Sequence, residues 1–198
     1  MRHRIAASVF LAFLLGAPAQ AQSSDPAAAT IQNFYDALTA SMKSGGTPKS
    51  RYEKLKPAID QAFDISGMTA LSVGPTWSSI SPADQKALIT AFDRMTVANY
   101  ARNFDSYNGE KFTVDPAVAE RGSDKFVKST LKPTSGDAVP FNYRMHQVDG
   151  SWKIEDIYLN GNISQLAQKR SDFGATLQAS GPAGLAKKID ALADQTLG

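Results

Sequence analysis

Val139-Pro140-Phe141-Asn142-Tyr143-Arg144-Met145-His146-Gln147-Val148-Asp149-Gly150-Ser151-Trp152-Lys153-Ile154 is the stretch whose reading decides the fold. Phe141, Tyr143 and Met145 alternate with Asn142, Arg144 and His146, the period of a half-buried strand. Asp149-Gly150 then supplies the strongest short hairpin signal, because both central residues of a type I′ turn need positive φ. A two-residue loop sets the register. It places Met145 opposite Ile154 and Gln147 opposite Trp152 on an apolar face, and Arg144 opposite Glu155 and His146 opposite Lys153 on a charged one. One step further, Asp156 stands opposite Tyr143.

Working outward, Phe112 and Val114 suggest an earlier strand and Phe126 to Leu131 another, giving about four in an antiparallel sheet. Upstream the period is helical. Asp25-Pro26 offers an N-cap with Pro at the first helical position, followed by Ile31, Phe34, Tyr35, Leu38 and Met42 on one stripe. Gly45-Gly46-Thr47-Pro48 reads as its stop. A second stripe of Tyr52, Leu55, Ile59 and Phe63 is interrupted by Pro57, and a short turn or helix follows Asp64. Ser81-Pro82-Ala83-Asp84 resembles a capping box with Asp for the preferred Glu. The long aromatic stripe behind it carries Leu88, Phe92, Met95, Tyr100, Phe104 and Tyr107 up to Asn108-Gly109. After the sheet, Ile163, Leu166, Arg170, Phe173 and Leu177 suggest a helix ending at Gly181-Pro182, with a last amphipathic segment beyond. Helices on the apolar face of a small curved antiparallel sheet make an α+β layer fold.

The first residues concern the compartment. Arg2, His3 and Arg4 precede an apolar run from Ile5 to Leu15, and Ala19-Gln20-Ala21 fits small-x-small cleavage, so residues 1–21 read as a signal peptide and 22–198 as a single exported domain. Losing Arg2 and Arg4 brings Lys+Arg from 21 down to the 19 of Asp+Glu. A balanced chain carries no electrostatic footprint for nucleic acid. There is no cysteine, which removes thiol catalysis, Cys-based zinc sites and iron–sulfur clusters and suits a periplasm better than a disulfide-stapled extracellular module.

Catalytic material is scarce. His146 is the only histidine beyond the signal region, and the register puts it on the polar face as a solvated side chain. No Gly-x-Ser-x-Gly elbow and no phosphate-binding glycine loop is present. No metal site and no cofactor is expected. Asp156 beside Tyr143 is the one pairing with enzymatic promise, an isomerase or hydratase base if buried; the plainer reading has a bulge turning Asp156 away, or Asp156 capping nearby backbone. The aromatic stripe and the apolar sheet face either pack as the solid core of an accessory subunit or line a cavity, which periodicity alone does not separate.

Phe104-Asp105-Ser106-Tyr107-Asn108-Gly109-Glu110-Lys111-Phe112-Thr113-Val114, Ser151-Trp152-Lys153-Ile154-Glu155-Asp156-Ile157, Gly161-Asn162-Ile163-Ser164 and Arg170-Ser171-Asp172-Phe173 occur in that order, and the ordered set resembles the MlaC family of periplasmic lipid-binding, toluene-tolerance proteins. Tyr158 to Ala167, with Arg170-Ser171-Asp172-Phe173, is most similar to the hopanoid-associated HpnM branch. The resemblance implies helices and a curved sheet enclosing lipid tails, with no catalysis. The ligand would be phospholipid or hopanoid. The implied partners are an inner-membrane ABC-type transport complex and an outer-membrane lipoprotein or transporter. On that basis the cavity is expected to be bounded by Phe92, Tyr100, Phe104, Phe141, Tyr143, Met145, Trp152 and Ile154, with Phe112 at its edge.

Overall fold

A computed structural model describes residues 25–198; the signal-peptide reading of residues 1–21 lies outside them. Four helices come first: α1 (Pro26–Ser44), α2 (Pro48–Ala62), α3 (Ile65–Val73) and, after a 3-10 turn at Pro75–Ser79, α4 (Pro82–Asn103). Six strands follow: β1 (Lys111–Val114), β2 (Ala119–Arg121), β3 (Asp124–Lys132), β4 (Val139–Val148), β5 (Ser151–Leu159) and β6 (Ile163–Ser164). α5 (Gln165–Leu197) closes the chain, broken into two segments at Gly181 (φ 67°, ψ −176°). The sheet is antiparallel in the order β1-β3-β4-β5-β6, with β2 also paired to β3.

Local chemistry explains where the helices start. Asp25 accepts from the Ala27 N–H at 2.8 Å, Asp64 from Gly67 at 3.0 Å, and Ser164 from Ala167 at 3.0 Å, each satisfying an orphan donor of the first turn. Thr47 does the same for Ser50 at 3.2 Å, with Pro48 at the first helical position. So only the Gly45-Gly46 half of that tetrapeptide ends α1, and Thr47-Pro48 starts α2. Pro57 sits within α2 with its ring exposed and does not end it. Ser81 accepts from the Asp84 N–H at 3.2 Å and gives its own proton to the Asp84 carboxylate at 2.8 Å. Asp84 thus takes the hydroxyl instead of the Ser81 N–H that a longer Glu would reach.

α1 lies across the inner face of the sheet against β1, β3 and β5, whereas α4 packs on α2, α3 and α5. Phe34 of α1 ties the layers together. It is 1% exposed and meets Phe63 and Tyr100 edge-on, both at 5.1 Å between ring centres. Phe63 in turn bridges to Ile154, and the Asp64 N–H donates to the Ile154 carbonyl at 2.9 Å. The join between α2 and α3 therefore runs along the edge of β5.

The hairpin turns at Asp149 (φ 50°) and Gly150 (φ 78°) as a type I′ turn. Met145 faces Ile154, His146 faces Lys153 and Gln147 faces Trp152. Beyond Met145 the register shifts. Arg144 pairs with Asp156 and Tyr143 with Ile157, because a β-bulge gives β5 an extra residue there. The pairings of Arg144 with Glu155 and of Asp156 with Tyr143 are corrected accordingly, and the bulge keeps Ile154 and Ile157 on one face.

His146 is also corrected. Its side chain is half-buried and held between two carboxylates rather than free in solvent, Nε2 at 2.9 Å from Asp64 and Nδ1 at 3.3 Å from Glu155. Arg144 continues the network to Glu155 at 3.0 Å and Asp124 at 2.8 Å. The β5-edge contact of Asp64 creates this pairing, which no local reading of the hairpin contains. His146→Ala is expected to lower the unfolding free energy by about 1 to 2 kcal/mol, the size of one lost hydrogen bond between charged or polar groups, while leaving ligand binding unchanged. Urea unfolding of variant and parent measures it.

Candidate functional site

A cavity of about 280 Å³ lies between the C-terminal turns of α4 and the inner face of the sheet. Its wall is made by five of the nine residues expected from sequence: Tyr100, Phe104, Phe112, Phe141 and Tyr143. Their rings form a continuous run. Tyr100 stacks on Phe104 at 5.8 Å, Phe104 meets Phe112 at 6.0 Å, and Phe112 stacks at 4.5 Å on Tyr35. Phe141 stacks on Tyr143 at 6.4 Å on the opposite strand wall.

The remaining four residues lie elsewhere. Phe92 points into the α4–α5 seam, edge-on to Phe173 at 6.3 Å. Met145 and Ile154 are paired and fully buried under the α2–α3 join. Trp152 is half-buried with the Lys125 ammonium 4.8 Å above its ring. The expectation treated the whole helix stripe and the whole sheet face as one chamber. In the structure α1, through Thr30, and the α2–α3 join, through Phe63, cover the turn end of the sheet, α5 closes on Phe92, and the cavity lies at the other end.

Sequence reasoning missed the rest of the wall. Tyr35 and Leu38 come from α1, and Ile157 and Leu159 from β5 beyond the bulge. The α1 pair stood on a legible stripe, but nothing local says that this stripe crosses β1. Ile157 and Leu159 fall out of phase with Ile154 unless the bulge is known. Phe104 is not on the helix: α4 ends at Asn103, and Phe104 (φ −118°, ψ 66°) caps it. Exposed Asn103 and half-buried Asn99 and Gln165 complete the lining and form its polar rim.

Inside, polar chemistry is confined to hydroxyls. Tyr35 bonds Ser129 at 2.6 Å and Tyr143 at 2.8 Å. Burial pushes the Tyr143 phenol well above its ordinary range, with neighbouring Tyr35 and Tyr100 adding to the effect, and burial likewise raises Tyr35 and Tyr100. These phenols therefore stay neutral donors at neutral pH.

Asp156 is not part of this wall. One of its oxygens accepts from the Ile157 and Leu166 N–H groups at 2.7 and 3.2 Å, the other from the Ser164 hydroxyl at 2.6 Å. It ties the bulge in β5 to the start of α5. The pairing of Asp156 with Tyr143 as base and donor is thus not assembled, and the capping reading holds.

Comparison with known proteins agrees with this architecture. Toluene tolerance protein ttg2D of Pseudomonas putida is 27% identical over 150 residues, 75% of this chain and 68% of that protein. A solved structure of a phospholipid-binding protein from Ralstonia solanacearum, in complex with a phospholipid, superposes with a TM-score of 0.75 at 22% identity, covering 87% of this chain and 99% of that one. The family profile described as MlaC protein matches residues 28–191. With that match spanning most of its length, the chain belongs to the MlaC family.

Proposed function

We propose that this chain is a lipid carrier of the periplasm, holding the apolar part of a phospholipid or hopanoid in the cavity beneath α4 without changing it chemically. The observation that carries the reading is the cavity itself: an aromatic and aliphatic chamber with a polar rim at Asn99, Asn103 and Gln165, in a member of the MlaC family. Phospholipid is favoured by the Ralstonia protein with its bound phospholipid, hopanoid by the likeness of Tyr158 to Ala167 to the HpnM branch. Removing a lipid from a bilayer exposes its tails at about 0.8 kcal/mol per CH₂, on the order of 25 kcal/mol for two sixteen-carbon chains. Only an enclosed apolar site offsets that. Bilayer and pocket are both hydrocarbon-like, so direction comes from partners, here an ABC-type inner-membrane complex and an outer-membrane acceptor.

At about 280 Å³ the cavity lies just below the range of ligand pockets, which run about 300 to 1,000 Å³. A two-chain cargo therefore requires widening. The rings of Tyr100, Phe104 and Phe112 bridge the end of α4 and β1, and widening would part them. The test is transfer of a fluorescent-tailed phospholipid from vesicles to delipidated protein. Saturation near one lipid per chain supports the reading, and no uptake contradicts it.

The compartment is tested separately. Intact-mass measurement of exported protein is expected to show a chain beginning at Gln22, after Ala19-Gln20-Ala21; retention of residues 1–21 refutes export by cleavage.

A further inference from the structure

A cavity for lipid tails needs a place for the headgroup, and here that place carries no charge. None of the twelve described residues lining the cavity is Lys, Arg, His, Asp or Glu. Its polar rim is three carboxamides, Asn99 and Asn103 on α4 and Gln165 at the start of α5. The nearest cations along these helices, Arg102 and Lys169, stand outside the lining. Asn99 and Asn103 are four residues apart, which sets their side chains beside each other on the face of α4 that also brings Tyr100 to the cavity.

Asn disfavours a helix because its side chain competes for backbone groups, and it is placed well only where it bonds them at a cap or turn. Neither Asn does so here. Their carboxamides make no hydrogen bond to another described residue, and Gln165 gives away one proton, to the Ile163 carbonyl at 3.3 Å. Weak helix formers without a structural partner, set on the face of a binding cavity, point to a partner outside the chain. A carboxamide offers one acceptor oxygen and two donor protons. A hydroxyl both donates and accepts, so a group of hydroxyls uses both ends of each amide. A phosphate only accepts, and its charge calls for Arg or Lys; the trimethylammonium of choline offers no hydrogen bond.

We infer that the cavity mouth recognises an uncharged polyol on the headgroup of its lipid, and that the Asn99 and Asn103 carboxamides hold its hydroxyls. This rests on the lipid-carrier reading and states what the headgroup must offer. Hydroxyls joined directly to the lipid and hydroxyls carried beyond a phosphate supply the same chemistry.

The test offers delipidated mature protein vesicles of three lipids with the same two oleoyl chains, in equal amounts: a glycerolipid carrying one galactose, phosphatidylglycerol and phosphatidylcholine. Native mass spectrometry counts what is bound. The galactolipid is expected to be enriched about tenfold over phosphatidylcholine. In the double variant Asn99→Ala/Asn103→Ala, whose alanines favour the helix, that enrichment should fall about threefold or more. Comparing variant with parent cancels the differences among the lipids in leaving the bilayer. Phosphatidylglycerol enriched as well places the hydroxyls beyond a phosphate, and the galactolipid alone places them directly on the lipid. A galactolipid bound no better than phosphatidylcholine, or an enrichment unchanged in the variant, overturns the inference while leaving the carrier reading standing. No lipid bound by folded protein overturns both.

Discussion

Leu159→Trp is expected to abolish lipid loading, lowering affinity about a hundredfold or more, while the delipidated protein keeps its stability to within about 1 kcal/mol. Leu159 lies on the cavity wall, half-buried, opposite Phe141 on β4 and next to Ile163 of the short β6. An indole there occupies space that is empty in the unliganded protein and suits an extended backbone. Met145→Trp is the contrast. Met145 is fully buried against Ile154, where close packing leaves no room, so enlargement should cost about 1 to 3 kcal/mol of stability and leave lipid affinity largely unchanged in whatever fraction folds. Both variants are read by urea unfolding of delipidated protein and by lipid uptake from vesicles. A Leu159→Trp protein that loads lipid normally would remove the cavity from the binding site.

Phe34→Ala is expected to cost about 3 to 5 kcal/mol, the range for truncating a buried aromatic. Three elements converge on this ring: α1 carries it, Phe63 at the end of α2 meets it at 5.1 Å, and Tyr100 of α4 meets it at the same distance. Phe63 is also the residue that docks the α2–α3 join onto β5. Truncation opens a void under both contacts, and Tyr100 loses a neighbour on the side away from the cavity. The unfolding midpoint should fall sharply, and in domains of this size a loss of several kcal/mol is a large share of the total. Calorimetric unfolding decides it; a loss below about 1 kcal/mol would mean that the layers are held elsewhere.

How far these features were legible follows from the range of the interactions behind them. The hairpin from Val139 to Ile154 was readable because its turn and alternation are local, and Asp149 and Gly150 adopt the positive φ their residue types favour. The bulge was not, since Glu155 and Asp156 look like ordinary strand residues; what fixes the bulge is the Asp156 carboxylate reaching the start of α5. β2 and β6, three and two residues long, are too short for periodicity to detect. Thr47-Pro48 carried a start signal that the preceding Gly45-Gly46 obscured. His146 was placed on the right face, yet its partners Asp64 and Glu155 come from a long-range edge contact and from the bulge. At the site, aromatic content gave the wall residues nearest the end of α4. Phe92, Met145, Trp152 and Ile154 belong to the same periodic faces, and only the packing of α2 and α5 decides that space closes around them.

The most direct measurement is native mass spectrometry of protein exported behind its own residues 1–21 and recovered from the periplasm without detergent. One lipid mass bound per chain is expected, its value separating phospholipid from hopanoid, with the same preparation of Leu159→Trp recovered bare. Parent protein that emerges without lipid, or Leu159→Trp protein that retains it, contradicts a lipid held in the cavity between α4 and the sheet.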